Sequence, residues 1–327
     1  MNELRWDPTL EEWVAYATHR QDRTFLPPAE YCPLCPTKPG GFPSEVPRES
    51  YEIAVFENKF PSFTPEAPTP AEPGSHLTPT APGRGVCEVV LYSDEHDSTL
   101  AGMSGRRIRN LVEVWADRYE ELGRREEVEY VFIFENKGEA IGVTLHHPHG
   151  QIYGYPFVPP RPRKEIDAAH RYRAKNGRCL HCDLLSQEHE DGRRVVAKGE
   201  HFTAFVPFYA HYPYEVHLYS RRCALSISDL SGEERSDLAR VLKRLLLGYD
   251  ALFGIPLPYV MVMHQAPTNG EDHSGVAHFH IEFYPPNRTA EKLKYLAGSE
   301  IGAGAFIMDA LPEQTSGKLR EAVEGVS

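Results

Sequence analysis

The sequence predicts an α+β protein made of two similar halves. An internal repeat relates them, because residues 88–105, EVVLYSDEHDSTLAGMSG, match residues 215–232, EVHLYSRRCALSISDLSG, without a gap. Each matched segment leads into an amphipathic helix and then a strand, and each half opens with a Cys-x-x-Cys pair. The 327 residues suffice for two typical domains or one larger core, and we expect the halves to be residues 1–158 and 159–327.

The spacing of apolar residues predicts the main elements of each half. One amphipathic helix is predicted over 104–123, and a second begins at Ser231, where Glu234 completes a capping box. The segments VEYVFIF and YVMVMH, which follow these helices, are rich in β-branched and aromatic residues and predict strands. Prolines recur every few residues over 60–85, so we expect a loop there and neither a helix nor an interior strand.

Charge and composition exclude several classes of protein. The 35 Lys and Arg residues against 47 Asp and Glu residues give a net charge of −12, so non-specific nucleic-acid binding is not expected. No apolar run approaches the roughly 18 residues that a membrane span requires. The first residues, MNELRWDPTLEEW, lack the basic start and apolar core of a signal peptide. We therefore expect a cytoplasmic protein with no nucleic-acid or membrane partner.

The cysteines point to metal binding. In a chain without an export signal, the six cysteines are expected to be reduced thiols. Cys32-Pro-Leu-Cys35 and Cys179-Leu-His-Cys182 have the spacing that lets two sulfurs bind one tetrahedral zinc. A thioredoxin-like redox site is the weaker alternative, because prolines surround the first pair. Cys87 is unpaired and is expected in the core.

The internal repeat completes each cysteine pair. In its register His96 matches Cys223, and His147 matches His278. Closed sets of four ligands are typical of structural zinc, although ordinary buried thiols are an open alternative for the second set. The first predicted site contains Cys32, Cys35, His96 and His147, and the second contains Cys179, Cys182, Cys223 and His278.

The run His147-Pro148-His149-Gly150-Gln151, which follows Phe-Glu-Asn-Lys-Gly, indicates phosphoryl-type chemistry. Residues two apart on a strand face the same side, so His147 can hold a metal while His149 points into the same pocket. A neutral imidazole is a good nucleophile at pH 7 and leaves readily from phosphorus, so His149 can carry a phosphoryl-type group between two substrates. The amide of Gln151 can donate hydrogen bonds to phosphate oxygens. The alternative is a histidine pair that only packs or binds metal.

These motifs resemble the galactose-1-phosphate uridylyltransferase family, a branch of the histidine-triad superfamily. The resemblance spans nearly the whole chain and is most specific in FENKG with HPHGQ, CPLC, SDEHDSTL, and HQAPTNG followed by FYPP. It implies two histidine-triad-like halves that form a mostly antiparallel half-barrel sheet flanked by helices, and a homodimer. It also implies exchange of UMP between UDP-glucose and galactose 1-phosphate, in galactose metabolism, through a uridylyl-histidine.

The resemblance also implies roles for individual residues. His149 matches the nucleophile, Gln151 matches the glutamine that bonds the transferred phosphoryl group, and the first cysteine set matches the zinc ligands. Because protein ligands fill the zinc shells, the leaving phosphate is expected to meet arginines and backbone donors, and no magnesium is required. The implied substrate contacts are Arg20, Arg23, Phe56, Asn58, Asn136, Thr144, Lys294, Tyr295 and Glu300.

The sequence departs from the family pattern at two places. Many relatives build a second metal site from a glutamate and three histidines, to which Glu165, His264 and His280 correspond, but Glu282 stands where the third histidine is expected. A carboxylate can still bind zinc or iron, so these four residues form an alternative second site, less favoured than the cysteine set. Ser299 replaces a tyrosine that is frequent in the family.

Two other functions stay open from the sequence. One is a phosphorylase or adenylyltransferase of nucleoside diphosphate sugars or dinucleoside polyphosphates, which would share the histidine chemistry. The other is a zinc-structured nucleotide-binding protein without activity, in which the histidines are only ligands.

Overall fold

The structure, a computed structural model, describes residues 2–22 and 26–326 of the chain. The first half begins with two strands of a hairpin and ends with the strand that carries His149. Its elements are β1 (Asn2–Asp7), β2 (Glu12–Ala17), β3 (Ala54–Glu57), β4 (Thr80–Pro82), β5 (Val86–Leu91), α1 (Gly105–Gly123), β6 (Tyr130–Lys137) and β7 (His149–Tyr155). The second half contains α2 (Pro160–Asn176), α3 (Leu180–Asp191), β8 (Val195–Lys198), β9 (Phe202–Phe205), β10 (Val216–Ser220), α4 (Gly232–Phe253), β11 (Tyr259–His264), β12 (His280–Tyr284) and α5 (Pro312–Gly325).

A single open sheet of nine strands runs through both halves in the order β3-β5-β7-β6-β11-β12-β10-β9-β8. Its neighbouring strands pair antiparallel throughout the described chain. The remaining strands form a small sheet in the order β2-β1-β4. The predicted α+β class, with a mostly antiparallel sheet flanked by helices, is confirmed.

Helices α1 and α4 cover one face of the large sheet and form most of the core. Trp115 and Leu111 of α1 and Leu242 and Leu245 of α4 are fully buried in one cluster with residues of the strands. The predicted capping box of Ser231 with Glu234 is present at the start of α4. The structure also shows a cap on α1, where the Ser104 side chain accepts a hydrogen bond from the Arg107 amide. The amphipathic pattern therefore placed these two helices correctly.

The opposite face of the sheet stays open at two places, one in each half. Near β5 and β7 it is partly covered by the small sheet, whose Leu4 packs with Cys87 and Tyr153. In the second half, α3 lies over it, and His181 hydrogen bonds to the Tyr219 hydroxyl at 3.1 Å. The predicted core position of Cys87 is confirmed, with 3% exposure.

In the strands, the positions that correspond between the two halves differ by one residue from those that the ungapped sequence alignment equates. Leu91 pairs with His149 in the first half, whereas Tyr219 pairs with His280 in the second. The ungapped match would instead equate Tyr92 with Tyr219. Tyr92 packs against Trp115 on the helix-covered face, so the first half accommodates one extra residue here. The expected match without a gap is therefore wrong within the strands, because pairing and not sequence similarity sets the register.

Just beyond the strands, the ungapped sequence alignment does equate corresponding positions of the two halves. His147 Nε2 lies 2.7 Å from the carbonyl oxygen of Ser93, and His278 Nε2 lies 2.7 Å from that of Ser220. Each histidine lies two residues before the first residue of its strand, His147 before β7 and His278 before β12. Strand alternation therefore relates His149 to Gln151 but does not extend back to His147.

Two segments differ from their predicted extents. The strand expected at 128–134 begins at Tyr130, because the Val128 amide bonds to the Arg125 carbonyl in a turn. It continues to Lys137 because its polar end pairs with β11 of the other half, a long-range contact that local patterns do not reveal. The proline-rich segment 60–85 contains β4, an edge strand on β1, where proline is tolerated. No helix in the described residues is long and apolar enough to cross a membrane.

Candidate active site

His149 and Gln151 lie on one face of β7, which is held between β5 and β6. The Nδ1 atom of His149 lies 2.7 Å from the carbonyl oxygen of His147. Since a carbonyl oxygen can only accept, Nδ1 carries the hydrogen, and Nε2 presents its lone pair. Burial lowers the pKa of His149, so the imidazole is neutral at pH 7. The histidine is thus oriented and protonated as a nucleophile requires.

A cavity of about 140 Å³ opens in front of these two side chains. It brings together five of the residues predicted from the sequence: Phe56, Asn58, Thr144, His149 and Gln151. The cavity also has an apolar side formed by Leu34, Val89 and Leu145, which suits a flat ring. Asn136 lines a smaller cavity of about 60 Å³ that shares His149.

Of the two arginines expected near the substrate, the structure describes only Arg20. Arg20 donates from Nη1 to the carbonyl oxygen of Phe60 at 2.9 Å and to the Tyr153 hydroxyl at 3.3 Å, which places it beside the Gln151 side of the cavity. Arg23 lies outside the described residues.

The C-terminal residues predicted to contact the substrate form a separate cluster. Lys294 is buried and its Nζ lies 3.1 Å from Glu300 Oε1 and 2.6 Å from the Ile307 carbonyl oxygen. Tyr295 is 75% exposed. In the described chain neither cavity beside His149 includes these residues.

The first predicted metal set is assembled as four neighbouring ligand atoms. Cys32, Cys35, His96 and His147 offer atoms that all lie within 4.8 Å of one another. Cys35 Sγ is 3.3 Å from His96 Nδ1 and 3.5 Å from His147 Nδ1. Two ligands of one tetrahedral zinc are expected to be about 3.5 Å apart, so the set fits. Burial and the neighbouring Cys32 raise the pKa of Cys35 to about 12, and a bound cation would be needed to hold its thiolate.

The second cysteine set repeats this arrangement in the other half. Cys179, Cys182, Cys223 and His278 also offer ligand atoms within 4.8 Å of one another. Cys182 Sγ lies 3.6 Å from His278 Nδ1, which leaves His278 Nε2 to donate to the Ser220 carbonyl. That hydrogen bond fixes the ring so that Nδ1 faces the sulfurs, as expected for a metal ligand.

The alternative second site has three clustered members. Glu165, His264 and His280 offer ligand atoms within 4.8 Å of one another, and Glu165 Oε2 lies 2.6 Å from His264 Nδ1. Glu282 borders this group, with Oε1 3.5 Å from His280 Nε2. The sequence interpretation missed His217, whose Nε2 lies 3.2 Å from the same Glu282 oxygen.

His217 and its surroundings form a cavity of about 300 Å³ in the second half. Burial opposes the charged form of His217, but Glu282 and Glu215 together raise its pKa. His217 was missed because it meets Glu282 through the pairing of β10 with β12, and no local pattern in the sequence contains that pairing. The cavity corresponds in the repeat to that of His149, with Glu282 at the position of Gln151.

Two family models match successive parts of the chain. The N-terminal domain of galactose-1-phosphate uridyl transferase matches residues 1–159, and the C-terminal domain matches residues 165–326. This chain belongs to the galactose-1-phosphate uridylyltransferase family. The predicted resemblance is thereby confirmed, and with it the assignment to the nucleotidyltransferases of galactose metabolism.

Individual relatives agree with the family assignment. The galactose-1-phosphate uridylyltransferase of Thermotoga maritima is 42% identical, and the match covers 98% of each chain. A solved uridylyltransferase mutant superposes with a TM-score of 0.88 and 34% identity, covering 99% of each chain. An ADP-glucose phosphorylase from Arabidopsis thaliana superposes with a TM-score of 0.74 at 24% identity and covers 98% of each chain, which shows a common fold. The uridylyltransferase assignment is therefore favoured over the phosphorylase alternative.

Proposed function

We propose that this chain transfers UMP from UDP-glucose to galactose 1-phosphate in two displacement steps through His149. In the first step, Nε2 attacks the α-phosphorus of UDP-glucose, an N–P bond forms, and the P–O bond to glucose 1-phosphate breaks. In the second step, a phosphate oxygen of galactose 1-phosphate attacks the same phosphorus, the N–P bond breaks, and UDP-galactose leaves. One nucleophile suffices because both sugar phosphates use the same pocket.

The observation that carries this proposal is the 2.7 Å contact between His149 Nδ1 and the His147 carbonyl oxygen. It directs Nε2 toward the cavity and keeps a hydrogen on Nδ1. When Nε2 bonds to phosphorus, the imidazole gains positive charge, and an Nδ1–H group that donates to a carbonyl stabilises that charge. The amide of Gln151, on the same strand face, would donate to the phosphoryl oxygens.

The proposal assigns the remaining predicted contacts to substrate groups. Arg20 and Arg23 would meet the diphosphate, since the planar guanidinium presents several donors in a geometry that suits phosphate oxygens. Phe56 and Asn58 would surround the uridine. The sugar and its phosphate would be contacted by Asn136, Thr144, Lys294, Tyr295 and Glu300.

We also infer that both cysteine sets hold structural zinc. Four protein ligands close each shell, so the metal would stabilise the fold and leave the phosphate chemistry to side chains without magnesium. Glu165, His264, His280 and Glu282 remain the alternative second site, for zinc or iron.

A cytoplasmic homodimer is part of the same proposal. The support is a stretch of apolar residues exposed near the C-terminus, which includes Tyr295, Leu296, Ile301 and Ile307. Large apolar side chains that are exposed in one chain would be covered in an interface between two.

The first test is the intact mass of the protein after it is mixed with UDP-glucose and no acceptor, at neutral or mildly alkaline pH. We expect one added uridylyl group, stoichiometric release of glucose 1-phosphate, and loss of both in His149→Gly. His76→Ala is the matched control, because His76 is exposed and lines neither cavity beside His149, so this variant should retain the adduct.

The outcomes separate the competing functions. An adduct from ADP-glucose but none from UDP-glucose would favour a phosphorylase. The absence of an adduct with either sugar nucleotide would contradict transfer through His149 and favour a zinc-structured binding protein.

A further inference from the structure

The side-chain carbonyl oxygen of Gln151 accepts two hydrogen bonds. Asn58 Nδ2 donates to Gln151 Oε1 at 3.1 Å, and the Tyr153 hydroxyl donates to the same oxygen at 3.2 Å. The other end of the amide, the NH2 group, is not engaged by either residue. The two contacts therefore distinguish the ends of a side chain that is otherwise nearly symmetric in shape.

The backbone fixes the direction of the Asn58 hydrogen bond. The amide of Phe60 donates to Asn58 Oδ1 at 2.9 Å, and a backbone N–H can only donate. Oδ1 of Asn58 therefore points toward Phe60, and Nδ2 points toward Gln151. Because Nδ2 has hydrogens and no lone pair to share, the atom of Gln151 that faces it must be the carbonyl oxygen.

An arginine fixes the direction of the tyrosine hydrogen bond. Arg20 Nη1 donates to the Tyr153 hydroxyl at 3.3 Å, and a guanidinium cannot accept. The hydroxyl oxygen accepts from Arg20, so its own hydrogen is free to go to Gln151 Oε1. Burial raises the pKa of Tyr153, which keeps this hydrogen in place at neutral pH.

We propose that Tyr153 and Asn58 are positioning residues that hold the Gln151 amide with its NH2 group facing the phosphoryl group at His149. Without them, the amide can rotate by half a turn and present its carbonyl oxygen to the phosphate oxygens, which repel it. This inference rests on the proposed transfer of UMP, and it assigns to Tyr153 a role that the sequence motif does not include.

The second half of the protein contains the same series of hydrogen bonds, from an arginine to a tyrosine and from the tyrosine to an acceptor. Arg161 Nη1 donates to the Tyr284 hydroxyl at 2.5 Å, and that hydroxyl donates to Glu282. Tyr284 is two residues beyond Glu282, as Tyr153 is two residues beyond Gln151. The arginine–tyrosine–acceptor arrangement is thus repeated on corresponding strands, with the acceptor differing between the halves.

The test is the single-turnover rate of adduct formation from UDP-glucose in Tyr153→Phe. We expect the rate to fall about tenfold, the size of one lost net hydrogen bond, while UDP-glucose affinity stays within about twofold. In a Gln151→Ala background the same substitution should cause no further loss, since Tyr153 acts only through Gln151. Asn58→Asp should slow the step as well, because a carboxylate accepts from Phe60 but cannot donate to Gln151.

Tyr155→Phe is the matched control, because it removes a hydroxyl from the same face of β7 two residues farther from Gln151. Its rate should equal that of the unmodified chain. An unchanged rate in Tyr153→Phe, or an equal loss with and without Gln151, would overturn the positioning role. If the unmodified chain itself forms no adduct, both the proposed function and this inference are wrong, so the two failures are distinguishable.

Discussion

Glu135 is a buried carboxyl group on the helix-covered face of the sheet, one strand away from His149. Its neighbour Phe134 pairs with Gln151 and shares the cavity face, so Glu135 points the other way. The Tyr259 hydroxyl donates to Glu135 Oε1 at 3.2 Å. Burial raises the pKa of Glu135 to about 7, despite the opposing charge of Lys137.

This shift predicts a pH-dependent stability that Glu135→Gln should remove. The pKa of Glu135 is about 7 in the folded chain against an ordinary value of 4.5, so the folded state retains a proton that the unfolded state releases. Its stabilising effect is complete below pH 4.5 and is lost as the pH rises to about 7. Relative to Glu135→Gln, the unfolding free energy should fall by about 3 kcal/mol over this range.

Denaturant unfolding of both proteins between pH 4 and 8 measures this difference. Glu139→Gln is a suitable control, because Glu139 is exposed near the end of the same segment. Parallel curves for the original chain and Glu135→Gln would show that Glu135 does not retain the proton.

At the residue scale, the sequence predicts groups that belong to a motif and misses those that act across strands. The spacing of HPHGQ placed His149 and Gln151 on one strand face, and Phe56, Asn58 and Thr144 line the same cavity. Tyr153 was missed because its contact with Arg20 spans 133 residues of the chain. Strand alternation from Gln151 identifies its direction but not its partner.

At the element scale, local rules determine helices better than strand register. The capping box at Ser231 consists of local hydrogen bonds, and it is present as predicted. The one-residue shift at Tyr92 depends on which face packs against Trp115, and no local pattern contains that information. The same limit explains why the polar end of β6 was missed.

The second cysteine set lies where α3 meets the sheet. Cys179 is the N-cap of α3, and Cys182 is in its first turn. Cys223 lies three residues after the end of β10, and His278 lies two residues before the start of β12. A metal bound by these residues would therefore fasten the start of the helix to two central strands.

Metal content should distinguish the two cysteine sets. The purified chain should contain one zinc for each set, measured by elemental mass spectrometry. Cys35→Ser should remove the first zinc and Cys182→Ser the second, each at a cost of several kcal/mol in folding free energy. Cys87→Ser, which alters a buried cysteine outside both sets, should retain both metals. Full zinc content in Cys182→Ser would contradict the second site.

At the scale of the whole molecule, the two halves share one sheet and one helix layer. Strand β6 pairs with β11 across the boundary, where Phe134 lies opposite Val262. The helices α1 and α4 also pack together, and Arg109 Nε donates to Ser236 Oγ at 3.0 Å. The expected division at residues 158 and 159 therefore describes a repeat whose halves bury a common core, and it stays a prediction as a domain boundary.

A common core predicts that the halves unfold together, and the tryptophans provide the test. All three, Trp6, Trp13 and Trp115, lie in the first half, so their fluorescence reports on that half alone. Leu218→Ala, in a fully buried position of the second half, should cost about 2–5 kcal/mol. If the halves are coupled, the tryptophan transition in denaturant moves to lower concentration by the same amount as the circular dichroism transition, with unchanged slope. Leu10→Ala, at a 67% exposed position, should leave both transitions in place. If the tryptophan transition stays at the same denaturant concentration in Leu218→Ala, each half folds as a separate unit.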